Sequence, residues 1–270
     1  MKLQWELDEF NDHRAACRVV VLFALLAAGI AVRHAQAGPP EWVDAMRAVH
    51  ARGGWTKGSV SQIGDSITYT KAFLAPAAWE KPQGFPAAVE RIDFRLINQR
   101  KGPEHGNYSG WTAGQGREKI AAVLAAEKPE LAVIMFGTNE ITKGVGLEEY
   151  EKNMAAIIDA CLAAGCVPIL STIPPYPNRP GKAEAINEVV GKLARDRKLP
   201  LVDFHAAIVA RRPGESWNGT LLGKNDVHPT GGKNLDFSDD NLKNCGYALR
   251  NYVTLQVMEE VVAKVFLDRK

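Results

Sequence analysis

Residues 59–70 read SVSQIGDSITYT, and the organisation of the whole chain follows from them. The alternating apolar and polar lead-in reads as a strand, which Gly64-Asp65-Ser66 ends in a sharp turn. Ser66 then falls where a helix can begin. Open α/β sheets gather their chemistry at the carboxyl ends of the strands. This turn therefore presents a hydroxyl at the productive edge, with the first N–H groups of a helix facing any charge that develops beside it. A serine here also suits an ordinary helix cap. By chance the triplet turns up in roughly one chain of this length in twenty, so it decides nothing without a base and an anion site downstream.

Upstream, Val19 to Val32 (VVVLFALLAAGIAV) is an unbroken apolar run preceded by Arg14 and Arg18. It is shorter than the about 20 residues that a membrane span needs. Ala35-Gln36-Ala37 then supplies a small-x-small cleavage site ahead of Gly38, so residues 1–37 are expected to be a secretory signal peptide. The acidic residues Glu6, Asp8, Glu9 and Asp12 before the run are untypical and leave an uncleaved anchor or a misplaced start as rivals. The expected product, residues 38–270, is one domain that is secreted or periplasmic, with no stable membrane association once the leader is removed. The leader holds four basic and four acidic residues, so the net charge stays at +2. Such a balance gives no support to a nucleic-acid or anionic-membrane partner. Cys161, Cys166 and Cys245 remain, an odd number that excludes a full disulfide framework and suggests three buried thiols.

Working downstream, Glu41–His50 has helical spacing, and Arg95–Asn98 (RLIN) reads as a second strand after the one ending at Ser66. Trp111–Glu127 reads as a helix. The continuous apolar run Leu131–Phe136 suits a strand buried on both faces. Leu147–Ala164 is an amphipathic helix, Cys166–Thr172 a strand, Ala183–Arg197 a helix and Leu199–Phe204 a last strand, before a mostly helical tail from Asp240. Strands alternating with helices predict a three-layer α/β/α fold around a parallel sheet of about five strands.

Four loops then fall on one edge of that sheet. Ser66 follows the first strand. Asn107-Tyr108-Ser109-Gly110-Trp111 follows the second, and Gly137-Thr138-Asn139-Glu140 the next. Asn225-Asp226-Val227-His228-Pro229-Thr230 lies near the end. Ester hydrolysis by a serine needs a base beside the hydroxyl and donors around the developing oxyanion, and this set contains both.

In these four blocks, IGDSIT, NYSGWT, FGTNE and DVHPT, the chain resembles the SGNH hydrolases, also called the GDSL lipase/esterase family. The resemblance runs from Val60 to Thr230. It implies a flavodoxin-like sheet, Ser66 as nucleophile, His228 as base, and oxyanion donors from the Ser66 N–H, the Gly110 N–H and the Asn139 side chain. It implies no cofactor and no metal. Asp65, Trp111 and Glu140 adjoin these groups and are candidate substrate contacts. Two positions depart from the family pattern. Glu140 stands where an Asp is usual, and Asn225 stands where the triad Asp belongs, three residues before the His. Asp226 or a backbone carbonyl is then left to orient the His228 ring.

Three other histidines are weaker candidates. His50 ends a helix, His105 lies in a loop, and His205 follows the last strand beside Asp203. Similarity to the family permits carbohydrate O-acetylesterases, lipases, thioesterases and lysophospholipases. The reading favoured is a serine esterase cleaving short, acetyl-like esters on a small molecule or polysaccharide, with Trp111 and Trp217 available for stacking on sugar rings. An acyltransferase using the same acyl-enzyme, or a non-catalytic carbohydrate binder, are the alternatives.

Overall fold

A computed structural model describes residues 40–81 and 84–266, and the expected leader lies outside them. They belong to one compact unit, Pro39–Lys270. In chain order the elements are α1 (Trp42–His50), β1 (Thr56–Gly64), α2 (Ser66–Tyr69), α3 (Arg95–Gln99), α4 (Ala113–Glu127), β2 (Pro129–Met135) and α5 (Thr138–Lys143). They continue with α6 (Leu147–Ala163), β3 (Val167–Ser171), α7 (Lys182–Asp196), β4 (Leu201–Val202), α8 (Phe204–Arg211), α9 (Asp239–Asn244) and α10 (Gly246–Val265). The sheet is parallel in the order β1-β2-β3-β4, with Val60 opposite Leu131, Leu131 opposite Val167 and Leu170 opposite Leu201.

Right-handed crossovers that all advance in one direction put their helices on one face of a sheet. Here α4, α6 and α7 pack together on that face, while α1, α8 and α10 pack against one another on the other. Every residue of β2 is buried between these two layers, which is why its sequence carries no alternation. Among the described residues no helix is long and apolar enough to cross a membrane. Cys161, Cys166 and Cys245 are free and buried.

Among the described residues the sheet has four strands rather than about five, and the difference lies at RLIN. That segment is the short helix α3. The Asp93 carboxylate accepts the Arg95 N–H at 3.1 Å, and the Asp93 carbonyl accepts the Leu96 N–H at 3.1 Å. Phe94 and Ile97, three apart, are the residues that go inside. Four letters are too few to separate a helical period from an extended one.

The edge of β1 that a further strand would cover is sealed by other groups. The Gly58 carbonyl accepts the Asp93 N–H at 2.9 Å, and Val60 accepts from Arg100 Nη1 at 2.9 Å. Gln62 accepts from Asn107 Nδ2 at 2.9 Å, and Gly64 accepts the Tyr108 N–H at 3.1 Å. Alternate carbonyls of a strand point the same way, so these four donors stand where a ladder would run. Only Gly64 and Asn107 form a true bridge, in parallel sense. An exposed edge of unpaired groups invites aggregation, and this one is closed without a strand.

Asn107 is fully buried, and its amide also donates to the carbonyls of Arg100 and His105. Asn107→Ala leaves the Gln62 carbonyl buried without its donor and is expected to lower stability by about 2–3 kcal/mol, toward the upper end of the cost of an orphaned buried group. Urea denaturation measures it. A change below about 0.5 kcal/mol would mean that the edge is sealed in some other way.

Candidate active site

The site begins with the tight junction of β1 and α2. A Cβ at Gly64 would stand 2.5 Å from the Met135 carbonyl oxygen and 2.5 Å from Thr68 Oγ1. Glycine is therefore required there by crowding from β2 and α2, not by a positive φ. Asp65, not Ser66, caps α2: its Oδ1 accepts the Ile67 N–H at 3.0 Å. Ser66 is thus left at the first helical position with its hydroxyl uncommitted to capping.

That hydroxyl lies 2.8 Å from His228 Nε2, and His228 Nδ1 lies 2.7 Å from Asp226 Oδ1. The His228 and Asp226 side chains are 44% and 49% exposed. The loop carrying them is held in register by the Gly223 N–H to the His228 carbonyl, 2.9 Å, and by an antiparallel bridge from Leu222 to Pro229. Asn225 takes a left-handed backbone, φ 55°, and exchanges hydrogen bonds with Asn218. Asparagine tolerates that conformation better than most residues. Asn225 is a turn residue here, and the acid one position later reaches the ring. Burial alone would raise the Asp226 carboxyl, but the hydrogen bond and charge of His228 outweigh it and hold it below the usual carboxylate range.

Opposite Ser66, α5 follows β2. Asn139 Nδ2 donates to the Trp111 carbonyl at 3.0 Å and, more weakly, to Asp65 Oδ2 at 3.3 Å. Thr138 Oγ1 donates to the same Asp65 oxygen at 2.5 Å. Lys143 Nζ ties the Gly110 carbonyl to the end of α5 at 2.6 Å. Gly110 has φ 76° and open space where a Cβ would project. The left-handed backbone is what calls for glycine there, and close approach is not.

The three expected substrate contacts sit differently. Asp65 is fully buried, and desolvation raises its carboxyl against the opposing pull of Thr138, the Ile67 N–H, Arg250 and His228. It joins β1 to α5 and has no face toward a ligand. Glu140 is also buried. Its Oε1 accepts the Ala113 N–H at 2.6 Å at the start of α4, its Oε2 has no hydrogen-bond partner, and desolvation pushes its carboxyl up to about 7. Trp111 is nearly buried, and the exposed ring beside Gly110 is Tyr108, with Tyr69 of α2 at 5.4 Å from it. The other histidines stand apart. His50 meets Glu130 at 2.8 Å, His105 meets Glu127 at 2.7 Å, and His205 Nε2 lies 3.6 Å from Glu184.

Arg250 gave no signal in the sequence, because it sits in a helix whose apolar pattern runs on both sides of it. It is fully buried beneath α2, with Nη1 2.5 Å from the Ile67 carbonyl and the guanidinium 3.5 Å from the centre of the Phe73 ring. Desolvation brings it down to about 10. Lys101 Nζ holds the Thr68 carbonyl at 3.1 Å, and desolvation brings it down to about 7. The two side chains fasten the carboxyl end of α2 as Asp65 fastens its start.

Comparison with known proteins identifies the family. The model of the GDSL-like lipase/acylhydrolase family matches residues 63–231. Esterase TesA of Pseudomonas aeruginosa is 31% identical over 143 residues, covering 53% of this chain and 68% of the relative. Thioesterase 1/protease 1/lysophospholipase L1 of Escherichia coli K12 is 26% identical over 172 residues, covering 62% and 76%. A G-D-S-L family structure from Desulfitobacterium hafniense DCB-2 shares the fold, with a TM-score of 0.51 and 22% identity over 74% of this chain and 99% of that one.

Two outcomes follow from the Asp226 and Glu140 carboxylates. Asp226→Asn removes the charge facing the ring and is expected to lower kcat for ester hydrolysis by at least about 10²-fold, toward the about 10⁴-fold known for a buried triad Asp, whereas Asn225→Ala changes it little. Equal small losses from both would leave Asp226 without that role. Glu140 has the opposite sign. Its folded pKa is raised from 4.5 to about 7, so the stability it contributes is full below pH 4.5 and is lost as pH rises through 7. Glu140→Gln should remove that loss, and thermal melts from pH 4 to 8 compare the two slopes.

Proposed function

Because the chain belongs to the GDSL-like lipase/acylhydrolase family and is an ester-bond hydrolase, we propose that Ser66, His228 and Asp226 form its catalytic triad. The observation that carries this is the 2.8 Å approach of Ser66 Oγ to His228 Nε2, with Asp226 2.7 Å from the other ring nitrogen. His228 Nε2 takes the Ser66 proton as Oγ bonds to the ester carbonyl carbon. The oxyanion that forms faces the N–H groups of Ser66 and Gly110 and the Asn139 amide, whose 3.3 Å hydrogen bond to Asp65 is the weaker of its two. Collapse breaks the bond to the alcohol oxygen, which leaves with the proton held by His228. Water then repeats the cycle on the acyl-enzyme and returns the acid and free Ser66.

The substrate we propose is a short-chain, acetyl-type ester on a carbohydrate, met outside the cytoplasm after removal of residues 1–37. Its support is the solvent-open triad flanked by the exposed Tyr108 ring, an arrangement suited to a small acyl group on a bulky polar carrier. The E. coli relative is named for thioester and lysophospholipid hydrolysis, which makes a palmitoyl thioester the control substrate. Acetate release from acetylated xylan exceeding turnover of that thioester supports the reading, and the reverse order removes it.

Ser66→Ala is expected to abolish p-nitrophenyl acetate hydrolysis with the fold retained by circular dichroism. Asn139→Ala is expected to lower kcat by about 10²–10³, the loss typical of one oxyanion donor. A change in KM alone would make Asn139 a ground-state binding residue.

A further inference from the structure

A cavity lies along the same rim as Ser66. It has a volume of about 320 Å³ and is enclosed by the segment after β3, the start of α7, and α8 with the segment that follows it. That size is at the small end of the about 300–1,000 Å³ usual for ligand sites. Tyr176, Trp217 and Val209 give it apolar walls, and Glu184, Glu215 and His205 give it polar ones.

Both walls are tied to the triad's surroundings. Tyr176 Oη lies 2.8 Å from Thr142 Oγ1, which donates to the Thr138 carbonyl at 3.1 Å, next to Asn139. On the other side Asn218, adjacent to Trp217, pairs with Asn225, adjacent to Asp226. β3 and β4 stand two and three strands from β1, so the cavity opens about 10–15 Å along the rim from Ser66 at the usual strand spacing.

The lining selects the ligand. Two carboxylates oppose an anion, and carboxylates beside an acyl tail would lose water with nothing in return. A cation is disfavoured because the Arg179 guanidinium already rests 5.5 Å from the Tyr176 ring centre. What remains is a neutral ring with apolar faces and hydroxyl edges, stacked on aromatics and bonded to carboxylates. His205 Nε2 makes no hydrogen bond and stands 3.6 Å from Glu184 Oε1, so the imidazole and one carboxylate share a wall of the cavity.

The geometry points to this cavity as a subsite for one neutral sugar ring of an oligosaccharide whose ester lies at Ser66. The assignment rests on the carbohydrate-ester reading above and gives it a length: the substrate is an oligomer, because a single acetylated sugar cannot span from Ser66 to Tyr176.

The test is calorimetric titration of the wild-type protein with xylotetraose, cellotetraose and chitotetraose, with choline as the cation probe. It is repeated on Val209→Trp, which fills the cavity from a position 37% exposed, and on the exposed Glu215→Ala should the first fail to fold. At least one tetrasaccharide should bind the wild type, and the variant should weaken it by about tenfold or more, as loss of a stacked contact does. Turnover of p-nitrophenyl acetate, too small to reach the cavity, should stay unchanged in both variants. Absence of binding by all three sugars, equal binding to wild type and variant, or binding of choline alone would overturn the subsite. Failure of the ester reading looks different: the sugar binds and the variant weakens it, yet no acetate is released from the acetylated form of the same sugar.

Discussion

Everything at the site depends on one carboxylate taken out of water. Asp65 is fully buried, and a buried charge is tolerated only when donors surround it. Its donors come from two places: the Ile67 N–H of α2, and the side chains of Thr138 and Asn139 at the start of α5. Meeting that need fixes the end of β1 against the end of β2. Ser66, one residue along from Asp65, and Asn139, one of its donors, are thereby held on opposite sides of the same gap. Arg250 completes the arrangement from below, where its guanidinium takes the Ile67 carbonyl and places a positive charge within reach of Asp65.

Asp65 and Asp226 show how environment divides one side-chain type between two roles. Burial raises the carboxyl of Asp65, whereas the partner ring lowers that of Asp226 despite some burial. The first is structural support, its carboxyl raised by desolvation against the donors that surround it. The second remains ionised and able to balance an imidazolium at working pH. Two carboxylates pushed in opposite directions within one site are a general mark of separate assignments.

The four strands, the long helices and the four blocks were legible because each carries its own period or turn chemistry. LAVIMF needed no partner to be read as buried, and the Gly-Asp-Ser turn lies at a strand end in the sequence as it does in the fold. RLIN failed because its helix is decided by Asp93 capping it from two residues away, and because the strand expected there is replaced by Arg100, Asn107 and Tyr108 acting on the edge of β1. Such sealing groups have no local pattern. The roles of Asp65, Glu140 and Arg250 were hidden for the same reason: each depends on contacts across the fold, Arg250 reaching Ile67 from 183 positions away. Asn225 was the reverse case. It looked like a defect in the fourth block, and its φ of 55° identifies it as the turn that swings Asp226 under the ring.

The openness of the proposed triad bears on what would receive the acyl group. Transfer to a sugar hydroxyl in place of water requires that water be kept from the acyl-enzyme while the acceptor is bound. Here the His228 and Asp226 side chains are each close to half exposed, so water reaches His228 without displacing protein. The low dielectric that would sharpen the ion pair is absent for the same reason, and in the proposed mechanism rate enhancement comes mainly from the geometry of Ser66 and the donors opposite it. Those donors stand on backbone fixed by Asp65, Thr138 and Lys143. With the proposed donors held rigid and His228 wet, the proposed site suits hydrolysis better than transfer, and it leaves selectivity to contacts made farther along the rim.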